Sequence, residues 1–501
     1  MLFLLLATFA RTDELAIIDR LRSELQATFE TEVRTLIARV EDAGDDELAA
    51  ELAAELRPLL DPPEAADPLD RRPKAIGTVP LGLPEDRRRL HLRARELRRD
   101  HAAAIFRLAR RANKAGHPAT AFRMLEAAVR VDPDYEPVRR LLGDQRVGDE
   151  WMTPFEAMMK RKHLSWHNRF GWLPPGHAER YEAGERFFRN RWMTADEEQT
   201  LRRKTPRGWE IETDHFVITS NYSLERAANL AGRLEGFHRF FRRTYTDLFD
   251  SPRLAGALLE SGTIPKKDKH KIRDFATQEE YVRTLTPKLP GVEVSLGVYL
   301  TGDRTAYFFY RDPASESGST RPEETLYHEV SHQLISEADP AVHMPGSYGG
   351  YWASEGFACY LESFDPSGDP RVGDIDHSRV EAAREQFLSA DSYEPFAKFE
   401  ALSTRAFQRG ETLDVIVARY NQAAGLTHFF LNAHDGRYRD AFLQYVRELY
   451  DIRKTSPTPL TRLTGQTGEQ IDGEYKAYLR ELDGRSKWPV LRENRGPAKQ
   501  D

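Results

Sequence analysis

The spacing of apolar residues divides the chain into a helical first part, a mixed middle and a helical last part. Between residues 12 and 60 apolar residues recur at helical spacing, interrupted at "DAGDD", which predicts two helices. The proline-rich stretch from 61 to 86 breaks this pattern and predicts a linker. After residue 320 the pattern is again nearly all helical. We therefore expect a helical region over 12–204, before the mixed part begins.

Residues 104–143 predict a hairpin of two helices within this first region. Gly116 separates the two helical patterns, and small residues, Ala121 and Ala128, lie where paired helices approach closely. The segment resembles one tetratricopeptide unit, although a generic helical hairpin gives the same pattern. Because a solenoid needs about three units, a peptide-binding groove is not expected here. Contact with a protein partner through the helical half stays open.

Two similar segments, "GDEWMTPFEAM" at 148–158 and "RNRWMTADEEQ" at 189–199, follow the hairpin. They predict a duplicated turn that contains tryptophan and precedes a helix, with Thr153 and Thr194 as helix N-caps. We interpret them as packing elements rather than as a site.

The middle of the chain alternates apolar and polar residues, which is typical of strands. The alternation begins in "WEIETDHFVITSN" at 209–221, and a helical pattern follows it. Further strands are predicted at 271–276, 295–300 and 305–311. We expect an α+β domain over 205–480, with the boundary near Thr205, a small sheet and a mostly helical C-terminal lobe. A flexible tail is expected over 481–501.

Composition narrows the classes of protein to consider. The 501 residues are 40% hydrophobic and 31% charged, and the length favours two or three domains. The net charge of −7 is spread along the chain, so no nucleic-acid partner is expected. The short basic run at 265–271 is more typical of a solvated loop than of a phosphate-binding patch. Cys359 is the only cysteine, which excludes a disulfide framework and a thiolate cluster. Any metal must therefore be bound by histidine and carboxylate groups.

The N-terminus bears on localisation. The apolar run from Leu2 to Ala10 is similar to a signal peptide over residues 1–11, although no lysine or arginine precedes it. We expect an exported or periplasmic protein; if the run is instead the start of the first helix, the protein is cytoplasmic. No later segment has the roughly 20 apolar residues of a membrane-spanning helix.

The segment "TLYHEVSHQLISEADP" at 325–340 carries the candidate chemistry. Thr320 and Glu323 form a predicted capping box, so the helix start is well defined. His328 and His332 are then one turn apart on one face, which allows both imidazoles to bind one tetrahedral ion. Glu329 is displaced around the helix, where it can reach the ion's water instead of the ion.

A third ligand is predicted in "YWASEGFACYLESF" at 351–364, where Glu355 follows His332 by 23 residues on a second helix. The pattern H-E-x-x-H followed by W-x-x-E-G-F-A resembles the gluzincin zinc metallopeptidases. The metzincin pattern is absent, because it requires glycine and histidine where Ile335 and Ala338 stand. Residues 209–435 also resemble an uncharacterised bacterial family of peptidase-MA-like proteins, often exported and often carrying tetratricopeptide units.

This resemblance implies roles for individual residues. Zn²⁺ would be held by His328, His332 and Glu355, with Glu329 as general base for hydrolysis of a peptide or protein substrate. Tyr420 would donate a hydrogen bond to the oxyanion. His428 and His377 are the alternatives for that donor. The strand at 305–311 would be an edge that pairs with extended substrate, unless it is simply a buried strand.

The sequence departs from the gluzincin pattern in two respects. Cys359 stands where many members have an acidic residue that orients a zinc-binding histidine, and Glu362, about one turn further on, is a substitute. The glycine-rich exopeptidase signature is also missing, so aminopeptidase activity is not implied. Three interpretations stay open: a zinc peptidase, a non-catalytic module of the same fold that binds proteins, and two surface histidines beside an unrelated carboxylate.

Overall fold

A computed structural model describes most of the chain. The described residues are 2–60, 75–80, 82–203, 208–245, 248, 268–312, 322–338, 345–367, 370–389, 392–409 and 412–482, without the side chains of 2–13 and 119. Three predictions concern residues outside these ranges. They are the domain boundary near Thr205, the helix cap at Thr320 and the flexible tail, of which the residues from 483 onward are not described. Within the described ranges, no helix combines the length and apolar character needed to cross a bilayer.

The first part of the chain is helical up to Leu141, whereas the expected helical region over 12–204 also contains six short strands between Gln145 and Thr194. Its helices are α1 (Leu2–Asp42), α2 (Asp46–Leu60), α3 (Glu85–Lys114), α4 (Pro118–Val131) and α5 (Glu136–Leu141). Helices α3 and α4 form the expected hairpin around Gly116, whose φ of 85° suits glycine. Ala121 and Ala128 are buried between the helices. The first hairpin helix is longer than predicted, because it begins at Glu85 rather than near residue 104.

Three short units, each a β-hairpin followed by a helix, come next. They are β1 (Gln145–Val147), β2 (Glu150–Met152) and α6 (Pro154–Arg161); β3 (Ser165–His167), β4 (Gly171–Leu173) and α7 (Ala178–Glu182); and β5 (Glu185–Phe188), β6 (Arg191–Thr194) and α8 (Ala195–Arg203). Thr153 and Thr194 accept backbone N–H groups at the starts of α6 and α8, as predicted. The middle unit was not predicted. The hairpin–helix unit therefore occurs three times in the chain rather than twice.

Each hairpin–helix unit is attached to a different neighbour. The Trp151 indole donates to Asp134, at the end of the helical region, at 2.9 Å. The Trp172 indole donates to the backbone oxygen of Glu212, in the sheet, at 2.9 Å. Arg186 pairs with Glu225 in the helix that follows the first two sheet strands. The units therefore connect the N-terminal helices to the sheet domain, and their tryptophans act in packing.

The second part contains a five-stranded sheet. Its strands are β7 (Trp209–Glu212), β8 (Phe216–Ser220), β9 (His270–Phe275), β10 (Gly297–Leu300) and β11 (Thr305–Phe309), in the order β10-β11-β9-β8-β7. Strands β8, β9 and β11 are parallel, and the outer strands β7 and β10 are antiparallel to their neighbours. The prediction that 305–311 forms the edge is wrong, because β11 pairs on both sides. The edge strands are β10 and β7.

Helices flank the sheet and form the C-terminal lobe, which confirms the α+β class. They are α9 (Leu224–Thr244), α10 (Gln278–Leu285), α11 (Pro322–Ser336), α12 (Tyr351–Leu361), α13 (Ser378–Leu388), α14 (Phe396–Glu400), α15 (Thr404–Gln408), α16 (Leu413–Asn432), α17 (Arg439–Tyr450), α18 (Leu460–Thr464) and α19 (Gly468–Glu481). Sheet residues such as Ile218 and Ile272 share one core with α9 and α11. This packing places α11 directly behind the edge strand β10.

Helix α12 is buried along its whole length. It crosses α16 at Gly356, where a Cβ atom would collide with the backbone oxygen of Ala423 and the hydroxyl of Thr427. A glycine is therefore required directly after Glu355 for close helix packing. The same contact fixes the rotation of α12 and hence the direction of the Glu355 side chain.

Candidate metal centre

Helices α11 and α12 bring together the three predicted metal ligands. His328 and His332 project from one face of α11, and Glu355 projects toward them from α12. The side chains are 11%, 16% and 6% exposed, respectively. Each offers one ligand atom, and these atoms lie within 4.8 Å of one another.

The donor atoms surround a space of the right size for one ion. The two Nε2 atoms are 3.3 Å apart, Nε2 of His328 is 3.3 Å from Oε2 of Glu355, and Nε2 of His332 is 3.7 Å from Oε1 of Glu355. In a tetrahedral site with bonds of about 2.0–2.2 Å, neighbouring donors are separated by about 3.3–3.6 Å. The buried group can therefore hold a metal ion with little rearrangement.

Glu362 and Arg379 form a layer behind His328. Oε1 of Glu362 lies 2.8 Å from Nδ1 of His328, and the Arg379 guanidinium donates to both Glu362 oxygens, at 2.6 and 3.1 Å. Burial opposes ionisation of Glu362, but the hydrogen bond from His328 and the charge of Arg379 outweigh it and lower the pKa of Glu362 to about 2. Because an ionised carboxylate only accepts, Nδ1 of His328 carries a proton, which leaves Nε2 as the ring atom that can bind an ion.

Glu362 thus occupies the orienting position that was predicted as a substitute. Cys359, one turn earlier, lies with its sulfur 4.0 Å from the same Nδ1 atom, and burial raises the pKa of its thiol. The neutral thiol is a weak acceptor, whereas the Glu362 carboxylate is a strong one. The carboxylate therefore orients the His328 ring.

His332 is supported by a different set of groups. Its Nδ1 atom is 3.4 Å from the hydroxyl of Tyr450, at the end of α17, and that hydroxyl is 2.6 Å from Oγ of Ser354. Tyr450 and Ser354 were not predicted, because neither stands at a recognisable spacing from the H-E-x-x-H segment.

Glu329 lies beside the donor group, facing the edge strand. Its Oε2 atom accepts the backbone N–H of Tyr299, in β10, at 2.8 Å. The residue is half-buried, in contrast to the buried His328 next to it. The expected displacement around the helix is therefore observed: Glu329 faces the strand rather than the three donors.

Tyr420 also lies near the donor group. It lies about two turns inside α16, with its ring edge-on to Phe407 at 5.2 Å. Burial, followed by the negative charges of Glu355 and Glu329, raises the pKa of the Tyr420 phenol. The phenol is therefore protonated near neutral pH and close enough to both carboxylates to feel their charge.

The two alternative histidines have other contacts. His428 is buried, with Nδ1 2.7 Å from the Tyr478 hydroxyl and Nε2 3.1 Å from the backbone oxygen of Gly373. His377 lies 3.7 Å from Glu324, on the Glu362 side of His328. Both ring nitrogens of His428 are therefore engaged by these two neighbours. Neither histidine belongs to the three-donor group.

Comparison with known proteins gives no family for this chain. No protein-family model matches it, and no curated protein sequence matches it significantly. The functional argument therefore rests on the residues and their geometry.

Proposed function

We propose that the protein is a zinc-dependent peptidase of gluzincin type. The observation that supports this most is the spacing of the three donors, 3.3–3.7 Å apart, beside a carboxylate that faces an edge strand. Two histidines and one glutamate are also a common ligand set of catalytic zinc in metallopeptidases.

In this proposal His328, His332 and Glu355 hold the ion. When bound, zinc supplies Lewis acidity, which lowers the pKa of a water molecule to about 7. Glu329 takes a proton from the attacking water on its carboxylate and passes it to the leaving amine nitrogen. Tyr420 donates its phenolic hydrogen to the substrate carbonyl oxygen as negative charge develops there.

The edge strand β10 gives the substrate an approach beside Glu329. An extended peptide can add to an exposed strand through backbone hydrogen bonds. One outward donor of β10, the N–H of Tyr299, is bound by Glu329, so a substrate at this position meets the proposed base.

The second candidate function is a non-catalytic module that keeps the fold and the metal while binding proteins. The N-terminal helices, attached to the sheet domain through the three hairpin–helix units, favour this candidate because they offer a separate surface.

A peptide-library digest with and without a chelator tests the proposal. The purified zinc-loaded protein should cleave peptides, lose cleavage when the chelator removes the ion, and regain it when zinc is restored. Mass spectrometry of the products also separates internal from terminal cleavage. A zinc-loaded protein that cleaves nothing across a broad library would contradict the peptidase and leave the binding module.

Tyr420→Phe is expected to lower kcat by about 10²–10³-fold with little change in KM, since the lost donor acts only on the developing oxyanion. The phenylalanine ring keeps the contact with Phe407, so the melting temperature should change little. Steady-state kinetics on a cleaved peptide measures the effect, with Tyr135→Phe in the helical region as control. Unchanged kcat would assign Tyr420 to packing alone.

A further inference from the structure

The sheet has a second, open face, turned away from α9 and α11. An open cavity of about 790 Å³ lies on it, and we call this cavity the sheet trough. Its floor consists of residues from β7, β8, β9 and β11, and its walls are the end of α8 and one side of α10. Side chains alternate along a strand, so Ile272 enters the core while Lys271 and Arg273 face the trough. The trough is therefore separated from the metal centre by the thickness of the sheet.

The central strand of the floor presents two basic residues side by side. Lys271 is flanked by Val217 and Thr305 on the neighbouring strands. Arg273 is flanked in the same way by Thr219 and Tyr307. The two basic residues are two positions apart on one face, about 7 Å along the strand. Neither basic residue has a carboxylate as its direct cross-strand partner.

The walls add further positive charge. Arg203 and Arg283 line the trough with Lys271 and Arg273, whereas two carboxylates, Glu210 and Glu280, line it as well. The trough is thus net positive in a chain whose formal net charge is −7.

Glu280 and Lys271 differ in whether the charged group already has a hydrogen-bond partner. The carboxylate of Glu280 accepts a hydrogen bond from the Asn221 amide at 2.7 Å, so it is already partnered. Among the residues that the structure describes, the Lys271 ammonium makes no hydrogen bond or ion pair. Lys271 is also the last residue of the basic run at 265–271, which therefore ends inside strand β9 rather than in a loop.

We propose that the sheet trough binds a small molecule that carries a phosphate dianion. A phosphate offers several acceptor oxygens at once, which matches a guanidinium, an ammonium and the hydroxyl of Thr219 on one surface. A carboxylate offers only two acceptor oxygens and would leave more of these donors without a partner. The volume is within the range of about 300–1,000 Å³ for small-molecule sites. A cation would be repelled by the net charge, and an apolar ligand would bury the Lys271 ammonium without an acceptor.

Isothermal titration calorimetry with inorganic phosphate tests this site on the full-length, zinc-loaded protein, with the ionic strength held constant by sodium chloride. We expect saturable binding that Lys271→Gln weakens by roughly 10- to 100-fold, the range for loss of one charge-assisted hydrogen bond. Lys271 is exposed, so the substitution should leave the fold intact. Lys398→Gln, at an exposed lysine on α14, is the matched control and should bind phosphate as the wild type does.

Three results would overturn the proposal: no saturable heat with phosphate, equal affinity in wild type and Lys271→Gln, or an equal loss in Lys398→Gln. Binding that disappears when the metal is chelated would place the phosphate at the metal centre and would also reject the trough. Tighter binding of succinate than of phosphate would reject phosphate as the ligand.

Discussion

Glu329→Gln is expected to lower kcat for peptide cleavage by about 10²–10⁴-fold, the range for loss of a general base. Glutamine keeps the shape of the side chain and an oxygen that can still accept the Tyr299 N–H, so the local structure should persist. It cannot take a proton from water. Because Glu329 is not one of the three donors, zinc content per chain should stay at the wild-type value.

Kinetics and metal analysis of the same preparation measure both parts of this expectation. Glu323→Gln is a suitable control, because Glu323 lies in the first turn of the same helix and outside the donor group. Full cleavage by Glu329→Gln would reject Glu329 as the base. Loss of zinc together with activity would instead show that Glu329 helps to hold the ion.

Zinc affinity should fall in a defined order between variants of Glu355, in helix α12, and Glu362, at its C-cap. Glu355→Ala removes one of the three donors and should have the larger effect. Glu362→Gln leaves the donors in place but weakens the hydrogen bond that orients His328, so we expect a loss of about 10- to 100-fold. The loss of zinc affinity in Glu355→Ala should be larger than this.

Competition with a zinc-binding dye gives the dissociation constants without a measurement of activity. Glu381→Ala, at an exposed carboxylate on α13, should bind zinc as the wild type does. Equal zinc affinity in Glu355→Ala and wild type would remove Glu355 from the ligand set. An effect of Glu362→Gln as large as that of Glu355→Ala would make Glu362 a ligand in its own right.

Local patterns predicted the donor group more successfully than they predicted its surroundings. The pairing of His328 with His332 follows from helix geometry alone, because residues four apart share a face. Glu362 follows Glu355 by about two turns, at the C-cap of the same helix, so it too had a local signal. Arg379, by contrast, lies on another helix and meets Glu362 only through tertiary packing, which no spacing in the sequence reveals.

The strands show the same division between local and long-range information. Alternation predicted where strands occur, but it carries no information about which strands are neighbours. For this reason 305–311 was expected at the edge, whereas β11 lies inside the sheet. The middle hairpin–helix unit was missed because proline replaces the capping threonine after Trp172, although the three tryptophans, Trp151, Trp172 and Trp192, recur at nearly equal intervals.

The parallel strands also determine how slowly this half of the chain can fold. A short turn can close an antiparallel pair, but Ser220 of β8 and Asp274 of β9, which hydrogen-bond, are 54 residues apart. Closing so long a loop costs conformational entropy, and folding rates decrease as contacts become more distant in sequence. Helix α11 packs against β10 and β11, which join the same sheet. We therefore expect His328 and His332 to reach their final positions only after this long-range pairing, so that the metal-binding geometry forms late in folding.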